Sequence, residues 1–88
     1  MTDELLIRLS NADAVAGRER EVRAIFTDQV RGCADAIEHD GLGSVLALSR
    51  GTQGSAPSVM FAAHMDEVGF MVRSISPVGV LKIGRAHV

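Results

Sequence analysis

The stretch Ser58-Val59-Met60-Phe61-Ala62-Ala63-His64-Met65-Asp66-Glu67 decides how this chain is read. Residues 58 to 63 form an apolar run of strand length, the pattern of a strand covered on both faces in the middle of an α/β sheet. The run closes on a polar cluster. Side chains alternate across an extended strand, so continued geometry puts His64 and Asp66 on one side and Met65 on the other. A ligating imidazole usually gives its second N–H to a carboxylate, which fixes the tautomer and raises its basicity. His64 is therefore the candidate metal ligand and Asp66 its supporting carboxylate, at the carboxyl end of a strand, where α/β folds place ligands. The competing reading is a histidine merely hydrogen-bonded at a strand end. Two features favour the metal: a run of polar and functional residues directly after six buried ones, and the extra acceptor charge of Glu67. Glu67 itself reads as a solvated or structural carboxylate, and His39 as a surface residue at a turn.

Outward from that stretch, the periodicity changes twice. Thr2 can cap a short helix with Asp3 and Glu4 in its first turn and Leu5, Leu6 and Leu9 on one face, ending near Ser10-Asn11. A second helix is expected from about Arg18 to Arg31, with Val22, Ile25, Phe26, Val30 and Cys33 spaced by three and four, Gly17 before it and Gly32 placed to end it. The pattern then becomes strand-like. Residues 36 to 38 and 44 to 49 flank Asp40-Gly41-Leu42-Gly43, a β-hairpin with Asp-Gly as its turn signal. Arg50 to Pro57 is a polar loop. Beyond the polar cluster a strand is expected from Val68 to Ser74, then a turn at Ser76-Pro77-Val78-Gly79 and a short strand from Val80 to Lys82.

Composition bounds the function classes. The chain has 88 residues, 47% hydrophobic and 23% charged, with net charge −2, a balance too apolar for disorder. Nine basic and eleven acidic residues are scattered, leaving no basic stripe for a nucleic-acid partner. No apolar run reaches the ~20 residues that span a bilayer, and the first residues are acidic where a signal peptide is basic. The expectation is a cytoplasmic protein with neither nucleic-acid nor membrane partners. Cys33 is the single cysteine, expected as a small buried hydrophobe on the second helix.

Three motifs in order carry a family resemblance. Val59 to Ser76, VMFAAHMDEVGFMVRSIS, closely resembles the metal-site strand of the M42 metallo-aminopeptidases, the glutamyl aminopeptidase and endoglucanase-like group. Upstream, Ala12-Asp13-Ala14-Val15-Ala16-Gly17-Arg18-Glu19 with Val22-Arg23 resembles that family's helix-connecting motif, and Asp40-Gly41-Leu42-Gly43-Ser44-Val45 its hairpin. The likeness is strongest to the bacterial subgroup encoded beside sugar-uptake systems. It implies the N-terminal part of a three-layer α/β/α zinc-peptidase-like domain over residues 1–74 and the start of an inserted β domain, used for dimerisation, over 75–82. It also implies hydrolysis of amino-terminal residues from peptides by two divalent metals, zinc or cobalt, in a large homo-oligomer. Position by position, His64 corresponds to a ligand of one metal and Asp66 to the catalytic-site carboxylate that supports it. The family's bridging aspartate, catalytic glutamate and other ligands have no counterpart in this chain, so the chain alone is expected to be inactive.

The closing hexapeptide Ile83-Gly84-Arg85-Ala86-His87-Val88 resembles the in-frame translation of a common sequencing adapter, and residues 83–88 are read as an artefact of assembly in which His87 has no ligand role. Two other function classes stand beside the aminopeptidase. One is a non-catalytic α/β binding module. The other is glycan hydrolysis, which needs a pair of carboxylates flanking a glycosidic bond, and no such pair is singled out.

Overall fold

The computed structural model describes residues 3–85, and within them the chain is a mixed α/β structure. Helix α1, Asp3–Asn11, carries Asp3 and Glu4 in its first turn and Arg8 in its last, the charge order the helix dipole favours. It ends where the sequence places its end, whereas the capping role expected of Thr2 lies outside the described residues. Helix α2, Arg20–Val30, is shorter than expected at both ends. Its first residue follows Glu19, whose carboxylate makes no cap bond to the helix and instead accepts the Gly17 N–H at 2.7 Å. At the far end Gly32 does not take the left-handed conformation of a C-capping glycine. The last turn tightens instead, with the Cys33 and Ala34 N–H groups both bonding the Val30 carbonyl at 3.0 and 2.9 Å. Cys33 consequently leaves the helix and is exposed, which corrects the expectation of a buried residue.

Strands β1, Ala36–His39, and β2, Val45–Leu48, form the expected antiparallel hairpin, with Ala36 opposite Leu48 and His39 opposite Val45. The turn is not built by a two-residue Asp-Gly. Asp40 Oδ1 accepts the N–H groups of Leu42 and Ser44, both at 2.8 Å, and the glycine with positive φ is Gly43, at +97°. A side-chain turn of this kind is what a short carboxylate offers a loop. Helix α2 packs on α1 and on β2, and Arg23 ties it to the turn by donating Nε–H to the Gly43 carbonyl at 2.8 Å. A Cβ at Gly43 would lie 2.8 Å from the Arg23 guanidinium. Both the positive φ and that close approach call for glycine there.

Strands β3, Phe70–Ile75, and β4, Leu81–Arg85, make a second antiparallel hairpin, separate from the first, with a register shift between Val72 and Ser74. Its turn is the expected one: the Val80 N–H reaches Ser76 Oγ at 3.0 Å, and Gly79 takes φ +84°. β4 is longer than expected, since Ile83 and Gly84 pair with Val72 and Met71. Residues 86–88 of the hexapeptide read as an artefact lie outside the described residues.

Residues 58–63 correct the central expectation of the sequence reading: they form no strand and have no strand partner among the described residues. A ladder needs a second backbone to accept its N–H groups and donate to its carbonyls. Here the two strands of each hairpin satisfy one another, and among the described residues the apolar run is left without a ladder partner. Val59, Met60 and Phe61 are 76%, 79% and 95% exposed. The residues that are buried, among those described, are Ala12 and Ala14, in the loop between α1 and α2. Among the described residues no helix is long and apolar enough to cross a membrane.

Candidate metal site

His64 and Asp66 meet without the strand that was expected to align them. Nδ1 of His64 lies 2.9 Å from Asp66 Oδ1 and 3.0 Å from the Asp66 main-chain oxygen. A carbonyl oxygen can only accept, so the contact assigns a proton to Nδ1, and in the neutral ring that leaves the lone pair on Nε2. This is the tautomer that a ligand binding through Nε2 needs. The imidazole is 84% exposed and the carboxylate 44%, so the ring is open to a ligand while its partner is half covered. As a bare ion pair in water such a contact would contribute little, about 0 to 1 kcal/mol. What it does supply is orientation.

The chain enters and leaves this pair under different constraints. Residues 58–63 before it have no ladder partner among the described residues. Immediately after it, the Glu67 N–H bonds the Ala14 carbonyl at 2.8 Å, and Glu67 forms a parallel bridge with Val15. Glu67 is exposed, as expected of a solvated carboxylate, and so is His39 on β1. Beside the pair lies a shallow recess of about 120 Å³ lined by Glu19, Leu42, Gly43, Ser44, Met65 and Asp66. The three motifs of the sequence therefore converge on one place. A larger open groove on the second hairpin, lined by Arg73, Ser74, Lys82 and Ile83, shares no residue with it.

Two carboxylates organise the surroundings of the recess. Glu21 Oε2 accepts the Asp13 N–H at 2.9 Å. Asp40 is held below its ordinary value of 3.8, first by the backbone N–H of Ser44 and then by that of Leu42, against a smaller opposing effect of desolvation. Because the folded value is depressed, this contribution to the hairpin is complete above the unfolded carboxylate range and is lost as pH falls through the folded value. At neutral pH it is constant. Acid titration should remove protection of the Leu42 and Ser44 amides from exchange with a midpoint below the ordinary Asp value of 3.8. A midpoint at or above that value would contradict the bonding described.

Whether the residues present fit a metal can be judged from the donor set. One imidazole with the correct tautomer and a supporting carboxylate fits one ligand position. Among the described residues there is no group of three or more His, Cys, Asp or Glu able to hold an ion, so this segment supplies part of a coordination sphere. Sequence reasoning quoted Ala12, Ala14 and Gly69 within motifs but gave none of them a role: Ala12 and Ala14 are the buried residues, and Gly69 lies beneath Val15. The signal for Gly69 was a glycine inside an otherwise strand-like run.

Residues 43–85 match the family described as M42 glutamyl aminopeptidase. Over these residues the chain matches the M42 peptidase family. It is 46% identical over 82 residues to the Escherichia coli protein FrvX, covering 93% of the chain and 22% of FrvX. It is 38% identical over 81 residues to a lysyl aminopeptidase of Pyrococcus furiosus, covering 91% of the chain and 22% of that protein. Among solved structures it resembles a TET aminopeptidase from a marine sediment archaeon of the Thaumarchaeota, with a TM-score of 0.84 and 40% identity over 94% of this chain and 23% of that one. The chain thus spans about a fifth of the length of the relatives it matches.

Proposed function

We propose that this M42 chain is part of the catalytic domain of a metal-dependent aminopeptidase, to which it contributes one metal ligand, His64, and the carboxylate that orients it, Asp66. The observation that carries the reading is the contact of His64 Nδ1 with two acceptors of Asp66, which presents Nε2 to an ion. Residues 1–74 form the opening of a three-layer α/β/α domain and residues 75–82 the start of an inserted β domain. The substrates are peptides with a free amino terminus, and the assembled protein is a cytoplasmic homo-oligomer.

In the proposed mechanism the work of this chain is positional. Asp66 keeps the proton on Nδ1 and stops the ring from turning, so that Nε2 stays available as a neutral donor. Two divalent ions, zinc or cobalt, when bound supply Lewis-acid polarisation of the scissile carbonyl and acidify a water. Met65, Leu42, Gly43 and Ser44 line the recess beside Asp66. The bridging carboxylate and the general base come from sequence beyond this chain, so the 88 residues alone are inactive.

The test compares the 88-residue chain with the same chain extended along its own gene to the length of its relatives. Chelator-sensitive release of amino-terminal residues by the extended protein, with none by the 88 residues, is the expected result. Metal binding without turnover by the extended protein would favour a binding module instead. Cleavage of a glucan would favour the glycan-hydrolase reading.

A further inference from the structure

The peptide unit joining Asp66 to Glu67 is shared by two anchors. Its carbonyl oxygen accepts from His64 Nδ1 at 3.0 Å, and its N–H donates to the Ala14 carbonyl at 2.8 Å. A trans peptide is planar, with its C=O and N–H pointing in opposite directions, and no cis bond occurs among the described residues. Fixing the N–H therefore fixes the direction of the carbonyl. The loop from Ala12 to Gly17 that holds the N–H is itself held: Asp13 N–H by Glu21, Gly17 N–H by Glu19, and Arg18 N–H by the Val15 carbonyl. Ala12 and Ala14 are its buried residues. Two positions further on, a Cβ on Gly69 would overlap the Val15 Cγ1 methyl group, well inside contact distance.

We infer that the Ala12–Gly17 loop sets the tautomer and orientation of His64 through the Asp66–Glu67 peptide plane, and that Gly69 is the positioning residue that lets this loop dock. Neither Gly69 nor Val15 touches the imidazole. They act through one rigid plane, whose rotation would withdraw the main-chain acceptor from Nδ1 and move the Asp66 side chain that shares its Cα. The consequence for metal affinity rests on the proposed role of His64 as a ligand. The consequence for the tautomer does not.

The experiment uses the protein extended to the length of its relatives, with ¹⁵N-labelled histidine and His64 assigned by its loss in His64→Gln. In the unaltered metal-free protein the ring shifts should report the Nδ1–H tautomer. Gly69→Ala should move His64 toward the Nε2–H form, accelerate exchange of the Glu67 amide and lower zinc affinity by about 10- to 100-fold, the usual effect of losing support behind a ligand. Adding Val15→Ala, which removes the overlapping methyl group, should restore all three. A residue needed only for general stability would not have its tautomer effect reversed by this second truncation. If Gly69→Ala does not fold, Glu21→Ala at an exposed position loosens the loop from its other side. Support then requires faster Glu67 exchange and a shifted tautomer together, and any other combination overturns the inference. Tautomer responses as expected in a protein that binds no zinc would overturn the ligand reading of His64 while supporting the brace.

Discussion

Purified as 88 residues, the chain will self-associate as its concentration rises, and it will unfold in urea without a single cooperative transition. Its radius of gyration is 17.8 Å, with extents of 66 × 29 × 15 Å, against about 12 Å for a compact domain of this length. Its accessible surface is 7597 Å², where a compact protein of this mass would expose about 5,000 Å². If only a third of the difference is apolar, burying it would contribute about 20 kcal/mol as an upper estimate. That exceeds the 5 to 15 kcal/mol by which a natural domain is stable. The missing burial is concentrated in Val59, Met60 and Phe61 and along the second hairpin, where Phe70, Val72, Ile75, Leu81 and Ile83 are all more than half exposed. An unpaired apolar backbone of this kind is a template for other chains. Sedimentation and urea denaturation followed by circular dichroism test the point. A monodisperse monomer with one sharp transition would show that the two hairpins and two helices suffice, and would favour a small binding module.

In the extended protein, Asp66→Ala will lower divalent-metal affinity by about 10- to 100-fold and aminopeptidase activity with it, whereas His64→Ala will remove the ion at that position altogether. The difference follows from the geometry. Asp66 contributes an acceptor at 2.9 Å from Nδ1 but its main-chain oxygen, the second acceptor at 3.0 Å, survives truncation of the side chain. The ring therefore keeps one of its two partners. Asp66→Asn retains an oxygen acceptor without the charge and should fall between the unaltered protein and Asp66→Ala. Isothermal titration with zinc, together with turnover measured over a range of zinc concentrations, separates lost affinity from lost chemistry. Equal effects of Asp66→Ala and Asp66→Asn would mean that the side-chain oxygen does not orient the ring.

Much of this was legible in the sequence because it rests on short-range physics. The spacing of Val22, Ile25, Phe26 and Val30 specifies a helix, and Ser76 to Gly79 specify the second turn; the first hairpin was legible too, although its turn rests on the Asp40 carboxylate and Gly43 rather than on the Asp-Gly pair. His64 and Asp66 were found together because two residues of the right chemistry two positions apart can meet in more than one backbone conformation. The strand of residues 58 to 63 was misread as already formed. Its apolar character describes what it is suited to pack against, and pairing is a property of two segments. The helix C-terminus at Gly32 failed for a related reason: a glycine permits a left-handed cap but does not compel one, and the carbonyl of Val30 found two N–H groups without it. Nothing in the local pattern marked Ala14, Val15 and Gly69 as partners. Their contact joins positions more than fifty residues apart through a main-chain bond and a missing Cβ, which neither periodicity nor composition records.

The role of His64 is most directly tested by anomalous diffraction from crystals of the extended protein grown with zinc. An anomalous peak is expected about 2.0 to 2.1 Å from Nε2 of His64, with Nδ1 still bonded to Asp66. Zinc bound elsewhere while Nε2 remains without an ion, or the ring turned so that Nδ1 leaves Asp66, would contradict it.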